Sequence, residues 1–178
     1  MTVLGLGHDV VDVESFRRQC LSPGSLFVAR AFCQAERLQC KARAQASGDD
    51  ELMHLAARWA GKEAVLKAWC EALGDAEYPL GLDGFEWSGI RIVEDARHRP
   101  HVEFSASLGQ LVADSLGKVR GNGAARGVSD DLARGGGDGL ARGVGEKSGN
   151  GDGMALHWHV SLSHDGPIAS AIALVECN

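Results

Sequence analysis

In the stretch "RWAGKEAVLKAW", Glu63 directly follows Lys62 and precedes Lys67 by four residues, with Arg58 five residues upstream. One carboxylate among three cations has two chemical readings. It can pair with Lys67 at i,i+4, or it can hold a cation while its basic neighbours take an anionic substrate. At about 100° per residue, Leu52, Leu55, Trp59, Leu66, Cys70 and Leu73 share one apolar stripe. Glu63 falls in the middle of that stripe, Lys62 and Lys67 on its edges, and Arg58 farther round. A carboxylate on a buried stripe must be paired or must coordinate a cation, because burying it alone is prohibitive. The second candidate is Asp9, in "GLGHDV". Taken alone it reads equally as a turn or capping residue. The stretch is not a dinucleotide fingerprint, since the third glycine of G-x-G-x-x-G would fall at Val10. Two carboxylates with no cysteine or histidine at ligand spacing suit a hard ion such as Mg²⁺ rather than Zn²⁺. Arg58, Lys62 and Lys67 would then suit phosphates.

A third cluster, "LHWHVSLSHDG" at 156–166, offers three histidines and two serines. It can be read as a metal site, as a nucleophile with its base, or as a strand entering a turn. Alternation places His157, His159, Ser161 and Ser163 on one face and Trp158, Val160 and Leu162 on the other. A zinc pair from His157 and His159 needs further ligands, and no nearby cysteine or acidic residue presents itself convincingly.

These residues need elements to position them. "TVLGLGHDVVDV" reads as a strand ending near Asp9. "SLFVARAFCQAERLQCKARAQ" has helical spacing and ends at the polar "SGDD". The strongest helix is "ELMHLAARWAGKEAVLKAWCEALG", with "SGDD" as its N-cap and Gly74 as its stop. "GIRIVEDARHRPHVEF" reads as a hairpin, "SLGQLVADSLG" as a short helix, and "HWHVSLSHDGPIASAIALVE" as two strands joined at Asp165-Gly166-Pro167. Residues 118–154 are rich in Gly, Arg, Asp and Ser, so a disordered surface insertion is expected there. The remainder of 1–178 reads as a single domain with a real core, given 44% hydrophobic residues.

The formal net charge of −6 argues against a general nucleic-acid binder. Between Ser15 and Gln45, however, six cations face a single anion, Glu36. That segment is either a solvated helical face or a dock for an acidic partner. The five cysteines form no C-x-x-C pair and are odd in number, which suits reduced thiols in a cytoplasmic protein. "MTVLGLGHDVV" lacks the basic start and long apolar run of a signal peptide, and no stretch has the length of a membrane span.

With these motifs in hand, the chain resembles the phosphopantetheinyl transferases. "GLGHDVVDV" matches their G-x-D signature, and "RWAGKEAVLKAW" matches W-x-x-K-E-x-x-x-K on a helix. "HVSLSHDGPIASAIALVE" is similar to the closing hairpin of the bacterial holo-acyl-carrier-protein synthase branch. "PGSLFVARAFCQAER" resembles the segment that follows the first motif in actinobacterial members. The resemblance spans nearly the whole chain except the Gly-rich segment. It implies an α+β fold with the long motif helix packed on an antiparallel sheet, often assembled as a homotrimer with sites between subunits. It also implies transfer of 4'-phosphopantetheine from coenzyme A to a serine of apo acyl carrier protein, with 3',5'-ADP leaving, in fatty-acid synthesis.

Carried over residue by residue, the resemblance makes Asp9 and Glu63 the Mg²⁺ ligands, with Glu63 also the candidate base. Lys62 and Lys67 would neutralise phosphates, with Lys62 counted among the catalytic residues, and Arg58 would meet the 3'-phosphate. His159 and Ser161, with His164 nearby, would line the coenzyme A pocket. The acidic carrier would use the basic 15–45 segment. Two positions depart from the family pattern: Ser15 stands where an arginine is common, leaving Arg17 or Arg18 to replace it, and Arg99 stands where glycine precedes Pro100. The alternatives are a transferase for polyketide or peptide-synthase carriers, a non-catalytic coenzyme A-binding module, and a Mg²⁺ nucleotide phosphohydrolase. The last lacks any residue besides Glu63 to position an attacking water.

Overall fold

Helix α4 (Glu51–Leu73) is the axis around which the other elements are laid. It starts where Asp50 accepts a hydrogen bond from the Leu52 N–H at 3.0 Å and stops at Gly74, whose φ of +56° suits glycine. A computed structural model describes residues 1–81, 85–124 and 155–178. Before α4 come β1 (Thr2–Asp12), α1 (Val13–Leu21), α2 (Phe27–Ala31) and α3 (Gln34–Ser47). After it come β2 (Ile90–Glu94), β3 (Pro100–Phe104), α5 (Ala106–Ala124), β4 (Leu156–Asp165) and β5 (Ile168–Cys177). The three-stranded sheet is antiparallel in the order β1-β5-β4, and β2 and β3 form a separate hairpin. The architecture is therefore α+β, with the motif helix against the antiparallel sheet. No helix among the described residues is long and apolar enough to cross a membrane.

Several boundaries differ from the sequence expectation, each for a local reason. The first strand does not end near Asp9. It continues to Asp12, which caps α1 by accepting from the Ser15 N–H at 2.8 Å. The single helix expected over 25–45 is two, because Cys33 is extended and acts as the N-cap of α3, with Glu36 accepting from its N–H at 2.9 Å. The short helix expected at 107–117 runs on to Ala124, since Leu108, Val112, Leu116 and Val119 continue one stripe onto the core. Residues 118–124 thus belong to α5 rather than to an insertion, and 125–154 lie outside the described residues. Both hairpins form where expected. In the longer β2–β3 turn, the positive φ of +59° falls on His98 rather than on Arg99.

Of the expected stripe on α4, only Leu55 and Leu73 are fully buried, and most of the buried side is made of small residues. Ala56, Ala57, Ala60, Gly61, Ala64 and Ala68 are buried, whereas Leu52, Trp59, Leu66 and Cys70 are only half-buried. Small residues face the sheet because the sheet comes very close: a Cβ built on Gly5 or Gly7 would lie 2.1 Å from the Ala68 carbonyl oxygen or 1.9 Å from that of Ala64. Both obstacles are backbone, so relief requires moving an element. Gly7→Ala is expected to destabilise the fold by about 3 kcal/mol, read as a drop in melting temperature; a melt within a degree of wild type would mean the strand is not clamped there.

Candidate active site

The inward-facing residues of β1 are Gly5, Gly7, Asp9 and Val11. The close approach at the glycines brings Asp9 onto α4 beside Glu63 and Lys67. Lys67 Nζ donates to Asp9 Oδ1 at 2.7 Å and to the His8 carbonyl at 3.1 Å. Its side chain stays 55% exposed, whereas that of Asp9 is 10% exposed. The other Asp9 oxygen, Oδ2, is buried and has no hydrogen-bond donor while Glu63 is ionised; a protonated Glu63 donates to the Asp9 carboxylate. Glu63 is half-buried, and burial, followed by the adjoining Asp9 carboxylate, pushes its carboxyl up to about 7; the Lys67 ammonium and the Trp59 indole pull weakly the other way.

Two adjoining carboxyls, one with a buried oxygen short of a donor, could hold a cation between them. Among the described residues no three His, Cys, Asp or Glu side chains are grouped to hold a metal. The donor set is therefore two carboxylates, which fits a hard ion such as Mg²⁺ that keeps its waters and takes further oxygens from a phosphate. The same set does not fit a closed zinc site.

Glu63 gives a pH signature. Its ordinary value is 4.5 and its folded value about 7. Between those limits the folded protein holds more protons than the unfolded chain, so metal-free stability falls as pH rises through that window. Thermal melts from about pH 4.5 to 8 should show this slope in wild type and a flattened one in Glu63→Gln, which cannot titrate; an unchanged slope would assign the titration to another group. Mg²⁺ requires the ionised carboxyl, so calorimetry should detect proton release on binding at about pH 6 and little at about pH 8.

Not every expected residue joins this cluster. Lys62 is 0% exposed: its ammonium donates to Glu36 at 3.0 Å and to the Trp87 and Ile90 carbonyls. Burial pushes its value down while the Glu36 carboxylate opposes the fall. Arg58, 3% exposed, donates to Glu94 at 2.8 Å and to the Ile92 carbonyl at 3.1 Å. Both cations were expected to face phosphates; instead each ties α4 to β2. A helix enclosed on several sides buries residues that a one-faced reading leaves at its edges.

His159 and Ser161 also stand apart. Strand register puts them with Leu174 and Ile172 of β5 and with Leu6 and His8 of β1, on the sheet face opposite Asp9. His159 bonds Glu176 at 3.1 Å, an acidic neighbour supplied by strand pairing rather than by sequence proximity. His157 sits beside Asn178, and the His164 ring packs edge-on to His54. Asp95, Arg99, His101 and His159 line a polar cleft at the β4 edge.

Sequence reasoning missed Glu36 and Glu94, the partners that hold Lys62 and Arg58. The signal for Glu36 was present: it is the one anion in the basic 15–45 stretch, three residues after Cys33.

Comparison with known proteins identifies the family. Residues 5–126 match the model of the 4'-phosphopantetheinyl transferase superfamily. The chain is 39% identical over 177 residues to a holo-[acyl-carrier-protein] synthase of Bifidobacterium animalis subsp. lactis, covering 98% of each. It is 38% identical to the protein of that name from Bifidobacterium adolescentis, covering 98% of this chain and 99% of the relative. Among solved structures, a Chronobacterium ammoniagenes ACPS–CoA complex shares the fold with a TM-score of 0.72 at 22% identity, covering 100% of this chain and 99% of that one.

Proposed function

The chain belongs to the 4'-phosphopantetheinyl transferase superfamily, and from that premise we propose that it transfers 4'-phosphopantetheine from coenzyme A to a serine of apo acyl carrier protein, serving fatty-acid synthesis. The observation that carries this reading is the buried Asp9 oxygen, short of a donor, beside Glu63, with Lys67 on the same spot.

The serine oxygen forms a bond to the β-phosphorus of coenzyme A as the bond to 3',5'-ADP breaks. Glu63 stands beside Asp9 and Lys67, where it can take the serine proton. Lys67 places an exposed ammonium against the diphosphate and offsets its charge. Asp9 orients Lys67 and, with Glu63, would hold Mg²⁺. When bound, that ion neutralises the diphosphate oxygens and fixes their orientation. Lys62 and Arg58 act one step back, holding α4 so that Glu63 faces Asp9.

His159 and Ser161 lie on the far face of the sheet from Asp9, so one copy cannot offer both to the same diphosphate. Leu6, Val10, Ile168 and Ile172 leave that far face apolar and exposed. Both facts support a homotrimer in which the β4 edge of one copy, with His159, Ser161 and Arg99, completes the site of its neighbour. Arg30, Arg37, Lys41 and Arg43 are exposed and suit an acidic carrier. At the departure from the family pattern, Arg18 donates to Ser15 Oγ at 2.7 Å while Arg17 is tied to Asp50. That contact favours Arg18 over Arg17 as the stand-in for the missing arginine.

The test mixes the protein with apo carrier protein, coenzyme A and Mg²⁺ and weighs the carrier by mass spectrometry. A phosphopantetheine adduct that disappears with chelator is the expected result. Folded protein that binds coenzyme A without forming the adduct would make the chain a binding module.

A further inference from the structure

Strand β2 is paired with β3 along one edge, and among the described residues no strand lies along the other. The backbone groups of Ile90, Ile92 and Glu94 that face this second edge are nevertheless all taken. The Ile90 N–H donates to the Trp87 carbonyl, and the Ile90 carbonyl accepts from Lys62. The Ile92 N–H donates to Glu36 at 3.0 Å, and its carbonyl accepts from Arg58 at 3.1 Å. The Glu94 N–H donates to Gln39 Oε1 at 3.0 Å, and its carbonyl accepts from Gln39 Nε2 at 3.1 Å. Side chains of α3 and α4 thus stand in for a strand, at the two-residue spacing that a strand would impose.

Gln39 differs from the other three side chains. Its amide carries the same kinds of donor and acceptor as a peptide group, and it alone binds both the N–H and the C=O of one residue. That two-point contact fixes the height of Glu94 against α3. Glu94 is the last residue of β2 and the root of the turn. Its carboxylate holds Arg58 at 2.8 Å and His98 at 3.2 Å. Asp95 comes next and accepts from the Arg97 N–H at 2.8 Å, the Arg99 N–H at 3.0 Å and Arg99 Nε at 2.8 Å. Arg99 in turn lines the polar cleft with His101 and His159. A continuous run of contacts therefore leads from Gln39 on α3 to the guanidinium at the hairpin tip. Gln39 carries no charge and is not among the residues that line the cleft, so any effect it has on an anionic ligand passes through the hairpin.

We propose that Gln39 is a positioning residue: through the backbone of Glu94 it sets where the β2–β3 tip holds Arg99 for coenzyme A bound at a neighbouring copy. This rests on the reading above, in which the β4 edge and Arg99 complete a neighbour's site. Gln39→Met keeps the length of the side chain and removes both hydrogen bonds. It should raise the KM and the Kd for coenzyme A about tenfold, with kcat at saturation within about twofold and the oligomeric state unchanged. Arg99→Ala should raise both constants by at least as much. Added to Arg99→Ala, Gln39→Met should change them by less than about twofold, because the tip then has no guanidinium to place. Gln39→Glu keeps an acceptor for the Glu94 N–H and loses the donor to its carbonyl. It should show the same split at smaller size, and it carries the test if the Met variant does not fold. Additive losses in the double variant, a fall in kcat with KM unchanged, or an unchanged KM would overturn the proposal. So would a change of oligomeric state in Gln39→Met, which would make the residue a support of assembly. The readings fail separately. Coenzyme A binding that responds to Arg99→Ala and not to Gln39→Met sinks only the positioning role. Binding indifferent to Arg99→Ala sinks the neighbour-site reading, and the role of Gln39 with it. Because Kd is read by calorimetry, a wild type that never transfers would sink the transferase, while non-additive Kd values would still uphold the positioning role.

Discussion

Glu63→Gln is expected to lower the rate of phosphopantetheine transfer by about three orders of magnitude while leaving the fold intact. Glutamine keeps the shape and removes both the charge and the proton acceptor. Because burial and Asp9 disfavour the ionised form of Glu63, the variant should melt at or above the wild-type temperature near pH 8 without metal. Lost activity together with retained stability is the signature of a reacting group rather than a structural one. Asp9→Asn should fall to a similar level, since it removes the oxygen that has no hydrogen-bond donor while Glu63 is ionised. If the two carboxylates act as one unit, the double variant will be little worse than either single one. The measurement is initial rate at saturating coenzyme A across a Mg²⁺ series. A near-normal rate for either variant at limiting Mg²⁺ would refute the assignment of these carboxylates.

Lys62→Met should cost about 3–5 kcal/mol of stability, the range for breaking a buried ion pair and leaving one charge behind. Glu36 would be stranded at 0% exposure, still accepting from the Ile92 N–H at 3.0 Å and the Cys33 N–H at 2.9 Å. The Trp87 and Ile90 carbonyls would lose their donor as well. The double variant Lys62→Met/Glu36→Gln removes the stranded charge and keeps the acceptor of those backbone N–H groups, so it should recover much of the melting temperature. Its activity then separates the two roles written for this lysine. Transfer that returns with stability makes Lys62 a positioning residue. Transfer that stays absent in a stable double variant would mean the ammonium reaches a phosphate after all.

How far the site could be read from sequence follows from what each residue depends on. That Asp9, Glu63 and Lys67 come together was legible because their types suit one another, and β1 and α4 announce themselves by period and caps. Lys62 and Arg58 were misplaced because the stripe argument assumes one buried face. Here the sheet packs on alanines and glycines, which carry no hydrophobic signal, while α3 and β2 enclose the lysine from another side. His159 was placed on the correct strand face, yet which side of the sheet that face occupies depends on pairing with β5, a long-range fact. The 107–117 helix was cut short because the average over 118–154 concealed Val119, whose contribution is a single apolar residue in register with Leu108, Val112 and Leu116.

The contact of Gly5 and Gly7 with the α4 backbone bears on how this protein can change over time. The spacing between Asp9 and Glu63 is inherited from main chain resting on main chain, with no side chain interposed. Core residues elsewhere can therefore drift in size and shape without resetting the distance between the two carboxylates, whereas these glycines admit no substitute. The separation of the two carboxylates is thus set by the backbone of β1 and α4 rather than by the side chains around them.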